Sequence, residues 1–107
     1  MGSIEVAIAR ADDVIADAIH PVELNGRPML VAAIDDNAFV VFARACPHQG
    51  VDLLDGTIEE HGVLRCPQHS YSFDLATGAC VRPSNGPPLV VLRARRRGHD
   101  IVVDLEW

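Results

Sequence analysis

Apolar and polar residues alternate along much of this chain with a period of two, the spacing that turns successive side chains to opposite faces of a strand. Ile4 to Ala9 (IEVAIA) alternates, and Ile19 to Leu24 (IHPVEL) is a shorter run of the same kind that ends at Asn25-Gly26. Asn-Gly between two apolar runs is the strongest short-range signal for a type I′ hairpin, whose two central residues both need positive φ. Met29 to Ile34 follows, then Asp35-Asp36-Asn37 as a second turn, then Ala38 to Ala43. These three runs predict a meander that delivers the chain to Cys46. Val51 to Gly62 is rich in turn residues, and Val63 to Arg65 is a short strand that delivers the chain to Cys66. Tyr71 to Asp74 leads into a turn from Asp74 to Gly78 (DLATG), and a proline-rich loop spans Arg82 to Pro88. Leu89 to Ala94 and Asp100 to Glu106 are the closing strands, with Arg95 to His99 read as the turn between them. Only Ala11 to Ala18 (ADDVIADA) has the character of a helical turn.

Short strands at regular spacing predict an all-β fold, an antiparallel sandwich or barrel. The chain has 107 residues, enough for one domain with one core, and 49% of them are apolar, which excludes general disorder. No apolar run approaches the roughly 20 residues that a membrane-spanning helix needs. The opening residues, MGSIEVAIARADD, show no basic stretch followed by an apolar one and no twin arginine, so a soluble cytoplasmic protein without membrane attachment is expected. The net charge of −6 argues against binding the phosphate backbone of a nucleic acid. An odd count of three cysteines fits metal ligation better than a disulfide framework.

The chemistry concentrates in two matching loops, each fed by a strand. ACPHQG (45–50) and CPQHSYSFD (66–74) each set a Cys-Pro beside a histidine, giving the spacing C-x-H-x17-C-x2-H for Cys46, His48, Cys66 and His69. Two thiolates and two imidazoles complete four metal positions. A zinc ion takes Cys₂His₂ tetrahedrally, and a [2Fe–2S] cluster can take the same four groups, cysteines on one iron and histidines on the other. A zinc finger draws most of its folding free energy from its metal. Here a β-scaffold with its own core presents the loops, which favours the cluster.

These two boxes resemble those of Rieske ferredoxins, and Asp74 to Gly78 with the Pro83/Pro87 loop resembles the family's third, covering loop. The resemblance runs the whole chain. It implies a Rieske fold over residues 1–107: an antiparallel β-sandwich of short strands, with a cluster-binding subdomain over about 45–83 made of two ligand loops and a proline loop. It further implies one Rieske [2Fe–2S] cluster per chain, held by Cys46, His48, Cys66 and His69, and no catalysis by the chain itself. The expected role is one-electron transfer by a monomer, from a flavin-dependent NAD(P)H reductase to a terminal oxygenase of the aromatic-ring-hydroxylating type. Rival readings are the small subunit of an assimilatory nitrite reductase, another Rieske subunit without a redox role, and a structural zinc module. One departure from the family pattern is Ser70, where many members follow the second histidine with glycine.

Replacing two thiolates of an all-cysteine cluster by neutral imidazoles takes the oxidised core from about −2 to about zero, which eases reduction. High-potential members place hydroxyl groups at the second and fourth positions after the second histidine, and add two cysteines that clip the loops. Those hydroxyl positions here are Tyr71 and Phe73, and Val51 and Gln68 stand where the extra cysteines would be. A potential at the low end of the roughly −150 to +300 mV range is therefore expected. Cys80 reads as a small buried residue, and His20, His61 and His99 as surface histidines. Arg93, Arg95, Arg96 and Arg97 read as a solvated basic turn or a docking patch, Asp52, Asp55, Glu59 and Glu60 as solubilising acids or as charges that orient a basic partner, and Trp107 as packing on a sheet edge.

Overall fold

A computed structural model of the chain describes residues 2–14, 18–34, 38–47, 50–59, 62–67 and 71–106. Among the described residues, ten strands form two antiparallel sheets. The larger contains β1 (Ser3–Arg10), β2 (Ile19–Leu24), β3 (Arg27–Ala33), β4 (Ala38–Ala43), β9 (Val91–Arg97) and β10 (Asp100–Glu106), in the order β1-β10-β9-β4-β3-β2. The smaller contains β5 (Thr57–Glu59), β6 (Val63–Arg65), β7 (Ser72–Asp74) and β8 (Cys80–Arg82), in sequence order. The expected all-β antiparallel architecture is what forms. No helix among the described residues is long and apolar enough to cross a membrane.

The expected meander is present: β2 pairs with β3 and β3 with β4, and Asn25 (φ 51°) and Gly26 (φ 78°) both take the positive φ of the predicted hairpin turn. Edge strands β1 and β2 come into contact, so the larger sheet curls towards a barrel. Its inner face carries Val31, Phe39, Val41, Ala94, Ile101 and Val103 into one buried cluster. The outer face of β3 and β4 carries Leu30, Ala32, Val40 and Phe42 into a second cluster, shared with Leu64 and Phe73 of the smaller sheet and Leu75 just beyond β7. The near-continuous apolar runs of β3 and β4 have this cause: both of their faces are covered.

Several expected boundaries move. Arg95–Arg97 belong to β9 rather than to the turn, which contracts to Gly98-His99. Strand pairing with β10 extends the element through the arginines, and Glu5 and Asp104 neutralise two of them: Arg97 and Arg95 both bond the Glu5 carboxylate, and Arg95 also bonds Asp104 (3.2 Å). Arg95 and Arg97 are cross-strand ion-pair partners and Arg96 donates to Gly98 O (3.0 Å), so the run is an exposed strand rather than a turn. Val51 to Gly62 contains the strand β5, which pairs Ile58 with Leu64, and Cys80 lies in strand β8. Leu89 and Val90 precede β9 instead of opening it, and among the described residues of the segment read as helical Ala11–Asp13 form a 3₁₀ turn. The turn at 35–37, His61 and Trp107 lie outside the described residues.

Candidate metal centre

Each of the two predicted loops begins where a strand leaves its sheet. β4 hands the chain through Arg44 to Cys46, and the loop that follows is closed by its own backbone. Ala45 bridges Asp52, the Cys46 N–H donates to Val51 O (2.8 Å), the Gly50 N–H to Cys46 O (2.7 Å) and the Leu53 N–H to Arg44 O (2.8 Å). β6 hands the chain to Cys66, whose N–H donates to Tyr71 O (2.7 Å), so this loop too returns to its starting point before β7. Two strand ends thus become two closed loops, each with a cysteine at its first position and a proline after it.

Cys46 and Cys66 are each 2% exposed and belong to the same buried cluster, with Leu53, Leu64 and Phe73 around them. Neither is in a disulfide. Two buried, unbridged thiols in one apolar cluster, each at the mouth of a closed loop, are suited to a soft metal or an iron–sulfur cluster. His48 and His69, with Gln49, Gln68 and Ser70, lie outside the described residues.

The third loop is anchored separately. Asp74 accepts the Ala76 N–H (2.9 Å) on its carboxylate and the Gly78 N–H (2.6 Å) on its carbonyl, which makes the expected turn. Gly78 O then accepts the Leu89 N–H (2.7 Å), seating the chain beyond the proline loop against this turn. Cys80 is buried, as expected for a small apolar residue, and it packs on the proline loop: a Cβ at Gly86 would lie 2.6 Å from its Sγ. Phe73 is fully buried and has no hydroxyl to offer. Tyr71 is half-buried and has an interaction partner.

The ion pair between Arg44 and Asp52 was not expected. The guanidinium donates to both carboxylate oxygens at 3.0 Å, and the Leu54 N–H donates to Asp52 Oδ1 (3.0 Å), capping the 3₁₀ turn Leu53–Asp55. Arg44 and then the Leu54 N–H hold the Asp52 carboxyl below its ordinary range, and Asp52 raises the Arg44 guanidinium. Asp52 thus has a fixed role in the loop, beyond solubility. An Asp two residues ahead of a Leu N–H is a legible capping signal; the partner across the loop is not. A surface cavity of about 490 Å³ between Ile34, Ala38, Leu75 and Arg93 includes none of the predicted site residues.

Comparison with known proteins places this architecture. The family model described as "Rieske [2Fe-2S] domain" matches residues 4–98, from the first strand to the last turn. The ferredoxin component of the alkene monooxygenase system of Xanthobacter autotrophicus is 36% identical over 50 residues, which is 47% of this chain and 41% of that protein. The chain spans less than two thirds of the length of such curated relatives. A chain in the complex of reduced oxygenase and oxidized ferredoxin of carbazole 1,9a-dioxygenase superposes with a TM-score of 0.80 at 26% identity, covering 94% of this chain and 92% of that one. A protein of Mycobacterium tuberculosis assigned as an NADH-dependent nitrite reductase small subunit superposes with a TM-score of 0.85 at 18% identity, covering 100% and 99%. The last of these shows the fold alone. With two buried thiols at the mouths of matching loops and a family match running through almost the whole described fold, this chain belongs to the Rieske [2Fe–2S] domain family, and its cofactor is a Rieske-type [2Fe–2S] cluster rather than a zinc ion.

Proposed function

We propose that this protein is a soluble cytoplasmic electron carrier, working as a monomer, that takes one electron from a flavin-dependent reductase and delivers it to a terminal oxygenase. The observation that carries the reading is the pair of buried, unbridged cysteines, Cys46 and Cys66, at the mouths of two closed loops in one core. In this reading Cys46 and Cys66 hold one iron, and His48 and His69 hold the other. Residues 45–83 are the cluster-binding subdomain within a single domain over 1–107. When bound there, the cluster supplies reversible one-electron chemistry. The chain's own contribution is to exclude water from the two thiolates and to set the polarity around them. Phe73 brings a buried ring where a hydroxyl would raise the potential, which supports a value near the low end, about −150 mV. The match to a monooxygenase ferredoxin component supports an oxygenase as acceptor.

A second reading, the small subunit of a nitrite reductase, draws on the likeness to the Mycobacterium tuberculosis structure. One series of measurements separates the two. Protein-film voltammetry of the purified chain is expected to give a reversible one-electron wave near the low end of the range, falling as pH rises. Cys46→Ser and Cys66→Ser abolish the visible chromophore, His48→Ala and His69→Ala abolish it or remove the pH-dependent wave, and Cys80→Ala keeps both. Rapid reoxidation of the reduced chain by an oxygenase component supports the carrier. A redox-silent chain that co-purifies with a larger nitrite-reducing subunit overturns it.

A further inference from the structure

The first ligand loop is clasped at its base by side chains as well as by backbone. Arg44 and Asp52 stand on either side of the loop and meet in a two-point fork, Nε to Oδ1 and Nη2 to Oδ2, each 3.0 Å. A planar guanidinium against a planar carboxylate fixes orientation as well as distance, which a lysine ammonium does not. Asp52 also caps the 3₁₀ turn at Leu53–Asp55, and Leu53 is fully buried in the cluster that contains Cys46. The fork therefore ties the end of β4 to a turn rooted in the core, across the base of the first ligand loop. Its two side chains are 34% and 46% exposed, so it sits outside the core it braces.

We propose that Arg44 and Asp52 are positioning residues for the first ligand loop: the fork keeps the loop closed so that Cys46 and His48 are presented together. This rests on the reading that Cys46 and His48 are ligands. Holding the two ends of a loop in place removes part of the ordering cost of closing it around a bound group. An exposed ion pair contributes little to global unfolding. Local opening of a loop needs no global unfolding, so the two quantities can be separated.

The test uses the purified holoprotein. Asp52→Asn, Arg44→Gln, the double variant and Arg44→Lys are reduced with dithionite and mixed with a ferrous chelator, and loss of cluster absorbance gives the rate of iron release. Thermal midpoint and visible circular dichroism are recorded alongside. Each single variant is expected to release iron about threefold to fivefold faster, with an altered visible dichroism and a midpoint within about 2 °C of the parent. The double variant should be no faster than the singles, because both remove one shared interaction. Arg44→Lys should recover part of the loss. If Asp52→Asn gives no holoprotein, Arg44→Gln carries the same test, since it leaves the Leu54 cap in place. Unchanged release, or release that rises only in step with a falling midpoint, overturns the proposal. Should Cys46→Ser keep its cluster, the ligand reading fails and this inference with it. Should Cys46→Ser lose the cluster while the fork variants release iron at the parental rate, only the inference fails.

Discussion

The two faces of the β3–β4 ribbon carry different things. On the inner face Val31, Phe39 and Val41 close a core of aliphatic and aromatic side chains with Ile101 and Val103, and no cysteine takes part. On the outer face Leu30, Val40 and Phe42 meet a second core that holds all three cysteines. One ribbon thus serves two cores, one that supports the scaffold and one that presents the metal. The lesson is a division of labour: the barrel-like sheet folds on ordinary hydrophobic burial, and the cluster module is mounted on its outside. Interactions on the inner side should set global stability, and those on the outer side should also set how tightly the cluster is kept.

The largest expected effects come from truncating one fully buried residue in each core. Leu64 and Ile101 are both 0% exposed, and each Ala variant is expected to lose about 2–5 kcal/mol of unfolding free energy. Their losses should be similar, but their consequences should differ. Leu64→Ala, in the same buried cluster as Cys46 and Cys66, should speed iron release well beyond what its stability change predicts, whereas Ile101→Ala should release iron only through global unfolding. Chemical denaturation of the holoprotein, combined with chelator release at low denaturant, separates the two. Equal acceleration by both variants would break the division.

A smaller effect is expected at Gly78, where the smaller sheet's turn meets the chain entering β9. Its φ is +83°, and a Cβ there would lie 2.2 Å from Leu89 O, the residue whose N–H also bonds Gly78 O. Gly78→Ala must move backbone on one side or the other, at about 2 kcal/mol. Because Leu89 belongs to the outer core, this variant should resemble Leu64→Ala in releasing iron faster, at reduced amplitude.

Dense apolar runs located their strands, although the ends move by up to three residues at β3 (Arg27–Ala33) and β9 (Val91–Arg97). β4 and β10 have their expected bounds, and the Asn25-Gly26 hairpin is as the dipeptide predicts. β5 and β8 went unread because each is three residues long with little alternation to detect: Thr57-Ile58-Glu59 and Cys80-Val81-Arg82. Arg95–Arg97 hid a strand for another reason. The side chains of Arg95 and Arg97 find their partners on β1 and β10, a tertiary fact with no local signal. The run Met29-Leu-Val-Ala-Ala33 already hinted that both faces of β3 are covered, since a half-exposed strand would alternate. At the site, spacing alone marked the two loops and their cysteines. The Arg44–Asp52 clasp was not legible, because nothing in an eight-residue separation says that the ends of a loop meet.

The smallest effect tests the scaffold side on its own. Glu5 on β1 is bonded by Arg97 and by Arg95, and Asp104 on β10 shares Arg95. The bond from Arg97, then that from Arg95, holds the Glu5 carboxyl below the ordinary carboxylate range. A carboxyl whose folded value is depressed stabilises the fold above its unfolded value, and the contribution fades as pH falls through the folded one. Wild type and Glu5→Gln should therefore differ most at neutral pH, by about 1–3 °C in thermal midpoint, and converge only as pH falls below the ordinary carboxylate range. The gap should also shrink in high salt, because these groups are exposed to solvent. Glu5 lies on the far strands of the larger sheet, so the rate of iron release at neutral pH should be that of the parent. A faster release in Glu5→Gln would mean that the outer strands brace the cluster module, and that the two cores are mechanically one.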